Sequence, residues 1–297
     1  MTSRSAQRTA EVVLASNHGA SGVSNGAQVA RDIMQDGVET VEQEVSVYKA
    51  IGILADKGLS GLPVLHQGQL VGMISEKDVL TLLLHGKHLD GTVKDYMTTK
   101  LVTFDIETPV TTICDCFAAN KFRRLPILYQ GQLAGVVART DLVRANKNRF
   151  KKSGTAQDEK ADLQAQDVMR CGLLTVAKET AVSEVIDVLV THQIGGLPVV
   201  DDYMNLDGFV SDKDVLKLLS DPAAEDCPVE AIMTKKVISF QPDDHLFDIC
   251  DCLTQNSIHG VTVLRGRKLV GRISRADLMV HILSHASAYA SHQTDGQ

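Results

Sequence analysis

Tryptophan is absent from the 297 residues, and the chain also lacks a basic excess, a long apolar run and every common catalytic signature. Net charge is −7, so no overall positive field draws the protein to nucleic acid or to acidic lipid. The apolar stretches are short, about five or six residues, against the roughly 18–20 that a helix needs to cross a bilayer. Glu11-Val-Val-Leu-Ala15 is too short for a signal-peptide core and has polar flanks. With no secretory signal, the six cysteines read as reduced thiols of a cytoplasmic protein.

Catalytic motifs are missing too. There is no nucleophile elbow, no phosphate-binding loop and no dinucleotide fingerprint, and the ten histidines show no metalloprotease spacing. Two Cys-Asp-Cys stretches, at 114–116 and 250–252, invite a metal reading. Residues two apart on a helix are turned by about 200°, so both thiols cannot clasp one ion. They read as small, buried helix residues. No enzyme is expected.

What is present is repetition. Gly72-Met-Ile-Ser-Glu-Lys-Asp-Val-Leu80 returns as Gly208-Phe-Val-Ser-Asp-Lys-Asp-Val-Leu216, with looser copies at 135–143 and 271–279. Gly72 and Gly208 lie 136 residues apart, as do Gly135 and Gly271, so the larger unit is a pair of repeats that occurs twice. Gly61-Leu-Pro63 and Gly196-Leu-Pro198 are only 135 apart; the third repeat therefore carries one extra residue, placed in the hairpin loop at 201–207. Each repeat opens with a lead-in ending in Met34, Met97, Met169 or Met233. A short strand, a helix, two strands around a turn and a closing helix follow. Such an α/β unit is too small to bury its own faces, and pairing is the remedy.

The expected division is a flexible tail at 1–28, a first pair at 29–146 (about 29–84 and 92–146), a linker at 147–163, a second pair at 164–285 (about 164–220 and 228–285), and a flexible tail at 286–297. The run Lys147, Arg149, Lys151 and Lys152 is either a solvated helix end and linker or a nucleic-acid arm; Asp158 and Glu159 beside it favour the first.

At the repeated junction a strand ends and a helix begins. Ser-x-x-Asp there is close to a capping box, in which hydroxyl and carboxylate satisfy the first helical amides. The same geometry is an anion site, and a carboxylate one turn on can accept hydrogen bonds from ribose hydroxyls. The motif alone allows both.

The Asp-x-Met lead-in (Ala231-Ile-Met233 in the fourth repeat), the Leu-Pro-Val strand and the Gly-apolar-apolar-Ser-x-x-Asp junction, each in four exact or varied copies in order over about 29–283, resemble CBS domains, the family named from cystathionine β-synthase. The resemblance implies four α/β repeats packed as two pairs, without a catalytic or membrane domain, and clefts that take AMP, ADP, ATP or S-adenosylmethionine. It implies that Asp78, Asp141, Asp214 and Asp277 hold ribose, and that Ser75, Ser211 and Ser274 sit near phosphate. Thr40, Thr103, Thr175 and Ser239 on the first strands would touch ligand, and the backbone around Leu62-Pro63 and Leu197-Pro198 would bracket adenine. Phe122-Arg-Arg-Leu-Pro126 resembles the basic pair of the regulatory subunit of AMP-activated kinase. Arg123, Arg124 and the equivalent His259 are thus phosphate contacts or exposed strand-entry charges.

Two departures stand out: Ala138 replaces the junction hydroxyl, and Thr262 stands where other repeats have proline. The resemblance implies a regulatory, energy-sensing protein that binds adenosine nucleotide, with magnesium as a companion to its phosphates, and controls a partner protein. It also implies a homodimer or a disc of two modules joined through helix faces. The alternative is an assembly module with no small ligand.

Overall fold

The protein is described here by a computed structural model covering residues 11–14, 28–84, 90–150, 163–218, 227–256 and 258–282. The expected linker core at 153–162 and the C-terminal tail lie outside the described residues.

Each repeat is organised on a β-hairpin: Gly61–His66 with Gln69–Ser75, Arg124–Tyr129 with Gln132–Ala138, Gly196–Val200 with Leu206–Ser211, and Gly260–Arg265 with Lys268–Ser274. The turn residues fix the register. Gln67-Gly68 and Gln130-Gly131 both take positive φ, at 51° and 78° and at 50° and 78°, the conformation that follows the twist of a tight hairpin. In the third repeat the extra residue is absorbed where the spacing placed it. Asp201 Oδ1 accepts the Tyr203 and Asn205 amides at 2.9 and 2.8 Å, and Met204 carries φ 66°.

A first strand runs parallel to each hairpin's opening strand. Val41–Glu42 pairs at Val64 and Leu65, Lys100–Asp105 at Ile127 and Leu128, and Ser239–Phe240 at Thr262 and Val263. The third repeat keeps only the bridge Val176 to Val199. Helices fill the remaining places in the expected order. Val47–Lys57 shows why they form: Val47, Ala50, Ile51 and Leu54 repeat at helical spacing and are all buried, and Gly58 at φ 61° stops the helix. Each of the larger side chains, Val47, Ile51 and Leu54, contributes about 1.5–3 kcal/mol by leaving water.

The structure differs from the sequence reading near the start of the chain. Glu11–Leu14, expected within a flexible tail, is a strand parallel to Lys100–Asp105, with Leu14 opposite Thr103.

Two compact units are present. The first takes the described residues up to 110 together with 124–137; the second takes 111–123 and the described residues from 138 onward. The boundary runs through the second repeat, whose strands belong to the first unit while nearly all of its two helices belong to the second.

One device recurs in both units: the lead-ins cross. The lead-in of repeat one bridges to the hairpin of repeat two (Gln35 to Val136), and that of repeat two bridges back (Thr98 to Met73). Repeats three and four do the same through Arg170–Arg272 and Thr234–Phe209. The sequence signature now has a cause. In three lead-ins the aspartate caps its own turn: Asp32, Asp95 and Asp167 accept the amides of Val29, Thr92 and Gln164 at 2.9, 2.8 and 2.8 Å. The methionine then lies over the junction glycine of the other repeat. A Cβ on Gly72, Gly208 or Gly271 would stand 2.5, 2.6 or 2.5 Å from the sulfur of Met97, Met233 or Met169, and one on Gly135 would stand 3.2 Å from that of Met34. Glycine is required there by close approach, and not by its φ.

In the second unit, Arg139–Asn146 and the following turn Lys147–Phe150 pack on Leu246–Gln255. Lys147 Nζ meets Asp251 Oδ1 at 2.7 Å and sits 5.8 Å from the Phe247 ring centroid. This part of the basic run is therefore a helix-end contact. All six cysteines are free thiols; Cys114 and Cys250 are buried, and Cys116 and Cys252 are half-buried.

Candidate functional site

The four junctions come first, since each begins a helix. Asp78 Oδ2 accepts the Ser75 amide at 2.8 Å and the Ser75 hydroxyl at 2.7 Å, and the Asp78 amide donates back to that hydroxyl at 3.3 Å. Ser211 and Asp214 repeat the arrangement at 2.9, 2.6 and 3.4 Å, and Ser274 and Asp277 at 2.8, 2.5 and 3.4 Å. In repeat two only the Ala138 amide reaches Asp141 Oδ2, at 2.8 Å. The capping role is thus filled, by one carboxylate oxygen.

The second oxygen differs from repeat to repeat. Asp78 Oδ1 has the Thr98 hydroxyl at 3.5 Å, a marginal hydrogen bond. Near Asp214 Oδ1 lies Lys217 Nζ, at 3.9 Å. Asp141 Oδ1 accepts from Arg144 at 3.2 Å, and Asp277 Oδ1 accepts from Arg170 Nε. Burial pushes the Asp78 carboxyl above its ordinary range, against the lowering effect of its hydrogen bonds from Ser75 and Thr98.

The first unit holds a cleft of about 230 Å³. Gln35, Gly37, Glu39, Lys57, Pro63 and Arg124 are on its wall. Lys57 and Glu39 form an ion pair at 2.5 Å. Arg124 Nε donates to the Ser60 hydroxyl at 3.1 Å, which fixes the guanidinium in the wall. Of the expected residues, Arg124 and the Pro63 strand are therefore here. Thr40 follows the wall residue Glu39 and is half-buried; Thr103 is fully buried, its hydroxyl without a hydrogen-bond partner among the described residues.

The second unit gathers cations. Arg123 Nη1 donates to Asp212 Oδ2 at 2.9 Å, and Asp212 is fully buried. The Arg272 guanidinium lies 5.4 Å from the Phe209 ring centroid, its buried Nε without a partner among the described residues. Burial, then the nearby positive charges of Arg123, Lys213, Arg275 and Arg272, hold His259 well below its ordinary value. His259, expected from the sequence as a second basic group, lies buried among these cations, and that lowers its affinity for a proton. Arg272 and Arg139 are also lowered, first by burial and then by Arg123, although arginine stays a cation. Thr175 is half-buried and Ser239 exposed.

Arg139 is occupied otherwise than a phosphate contact would need. Its Nη2 donates to the Phe117 and Asn120 carbonyls at 3.2 and 2.9 Å, closing the end of the helix Val110–Ala119. Arg275, its equivalent, closes Leu246–Gln255 through the Leu253 and Asn256 carbonyls at 2.7 and 3.1 Å. Sequence reasoning missed Glu39, Lys57, Ser60, Asp212, Arg272 and Arg170. One signal was available: the residue after the junction position is Glu76, Arg139, Asp212 and Arg275 in turn, acidic in odd repeats and basic in even ones.

A family model described as "CBS domain" matches four times, at residues 30–85, 93–148, 165–221 and 229–284. This chain belongs to the CBS-domain family. Each hairpin, crossing lead-in and capped junction described above falls inside one of the four matches. Among curated relatives, MJ1225 of Methanocaldococcus jannaschii is 27% identical over 192 residues, covering 63% of this chain and 68% of its own length. YhcV of Bacillus subtilis, a CBS domain-containing protein, is 29% identical over 127 residues, 42% of this chain and 90% of that one. The crystal structure of MJ1225, a protein put forward as an archaeal homologue of γ-AMPK, superposes with a TM-score of 0.77 at 18% identity, over 86% of this chain and 99% of that one. That likeness establishes a shared fold. Among the described residues no helix is long and apolar enough to cross a membrane.

Proposed function

We propose that this CBS protein is a ligand-sensing regulator that binds adenosine nucleotide and passes the occupied state to a partner protein. The observation that carries the reading is the divided carboxylate at the junctions. Oδ2 of Asp78 and of Asp214 is held by amide and hydroxyl, so each side chain has one orientation without any ligand. Oδ1 is left with a weak contact or none closer than 3.9 Å. An acceptor fixed in this way suits a ribose diol, because little rotamer freedom is lost on binding. Three further features support it: the cleft with its pinned arginine, the positive surroundings of His259, and the family resemblance with its adenosine ligands. The cleft, at about 230 Å³, is smaller than the roughly 300–1,000 Å³ of typical ligand sites.

Calorimetric titration with AMP, ADP, ATP and S-adenosylmethionine, each with and without magnesium, tests the reading. Saturable binding of an adenosine compound, weakened by Asp78→Ala or Asp214→Ala, is the expected result. Absence of heat and of thermal stabilisation with all four compounds would overturn it and leave the assembly reading.

A further inference from the structure

The four lead-ins differ at one position. After the crossing methionine stand Gln35, Thr98, Arg170 and Thr234. Each pairs by its backbone with the hairpin strand of the other repeat, close to where that strand ends in a junction. In two lead-ins the side chain at this position reaches the junction carboxylate of the other repeat. Thr98 shows the mild form, with its hydroxyl 3.5 Å from Asp78 Oδ1.

Arg170 is the strong form. Its amide donates to the Arg272 carbonyl and its carbonyl accepts from the Arg272 amide, both at 3.0 Å, so its backbone is fixed. Its Nε donates to Asp277 Oδ1. The Ser274 amide and hydroxyl already hold Asp277 Oδ2, at 2.8 and 2.5 Å. Both oxygens of Asp277 are thus engaged by charge-assisted or capping bonds, unlike those of Asp78 and Asp214. The arginine side chain is 69% exposed and Asp277 only 7%, so the guanidinium approaches the buried carboxylate from the solvent side, the side a ligand would use.

We propose that Arg170 is a built-in competitor for the fourth-repeat carboxylate, and that it makes this junction the weakest of the three Ser/Asp sites for a ribose diol. The inference rests on the adenosine-binding reading above and adds a selectivity among the sites. The chemistry is a displacement: two hydroxyls can reach Asp277 Oδ1 only when the guanidinium has turned away into water. An ion pair with one exposed partner is worth at most about 1 kcal/mol, so the handicap is roughly two- to five-fold in affinity. That is enough to order the filling of sites without closing one.

The experiment compares AMP titrations of the full-length protein and of Arg170→Thr, the substitution that introduces the residue found in the lead-ins of repeats two and four. Asp277→Asn is made in both backgrounds. Arg170→Thr is expected to tighten one class of site roughly two- to five-fold, and Asp277→Asn is expected to remove that gain. Unchanged or weaker binding in Arg170→Thr would overturn the proposal, since weaker binding means that the guanidinium is itself a ligand contact. Urea midpoints of the variants show whether folding is affected; a gain in affinity cannot arise from a damaged fold. If the parent protein binds AMP and Asp78→Ala weakens it while Arg170→Thr changes nothing, only the competitor role fails. If no variant binds AMP, the proposal falls together with the adenosine reading.

Discussion

At the scale of single residues, the junction carboxylates carry two duties that substitution can separate. Asp214→Ala removes the cap as well as the outward oxygen. It should cost about 1 kcal/mol in folding stability and roughly 10- to 150-fold in nucleotide affinity, the worth of a hydrogen bond to a charged group. Asp141→Ala should cost stability alone, because repeat two has no hydroxyl and Arg144 already holds Asp141 Oδ1. Calorimetry and urea denaturation read the two effects separately; a larger affinity loss for Asp141→Ala than for Asp214→Ala contradicts this ranking. His259 sets a pH dependence. Its folded pKa is depressed, so below about pH 6.5 the unfolded chain takes up a proton that the native protein refuses. Its contribution to stability is present above that pH and is lost as pH falls toward the folded value. Urea midpoints should decline through this window, and His259→Gln should flatten the decline. Asp78 runs the other way: with its pKa raised by burial, its ionisation costs stability as pH climbs through the folded value.

At the scale of elements, the crossing lead-in is the device to test. Gly208→Ala forces a methyl toward the Met233 sulfur, and overpacking of this kind costs typically about 1–3 kcal/mol. Met233→Ala should lose apolar contact by itself yet relieve the collision, so the double variant should be more stable than the sum of the two single losses. Additive losses would mean that the sulfur does not decide the glycine. Much of this level was legible in the sequence. The hairpins, the odd hairpin loop at 201–207 and the helix order follow from periodicity and turn chemistry, which are local. The Met-over-Gly contact was not, since its halves lie in different repeats and nothing local ties Met97 to Gly72. The alternation Glu76, Arg139, Asp212, Arg275 was visible, but its meaning depends on what stands nearby in space: helix carbonyls for the arginines, and Arg123 for Asp212. The charge of His259 could not be read from sequence, because burial decides it. Thiol reactivity also belongs here. Burial and the nearby Asp251 push Cys250 up to about 12, and burial raises Cys116 and Cys252. A thiol reagent at pH 8 should label exposed Cys171 well before these three; equal rates would contradict their burial.

At the scale of the whole molecule, the helix contact in the second unit implies a particular result on proteolysis. Trypsin is expected to cut first within 151–162, giving two fragments of similar size. The pieces should remain together on gel filtration, because Lys147 and Arg144 lie on one side of that stretch and their partners Asp251 and Thr254 on the other. Lys147→Ala should loosen the nicked complex, and two freely separating halves would contradict the contact.

The crossed lead-ins also bear on how the chain is made. Gln35 finds its strand partner only at Val136, about a hundred residues later. At roughly 5–20 residues per second, a ribosome delivers that partner roughly 5–20 seconds after the first segment. Through that interval the opening repeat is a half-dressed intermediate that waits for its twin, and a chaperone has its best opportunity. The pair, and not the repeat, is therefore the smallest portion of this polypeptide that synthesis can finish.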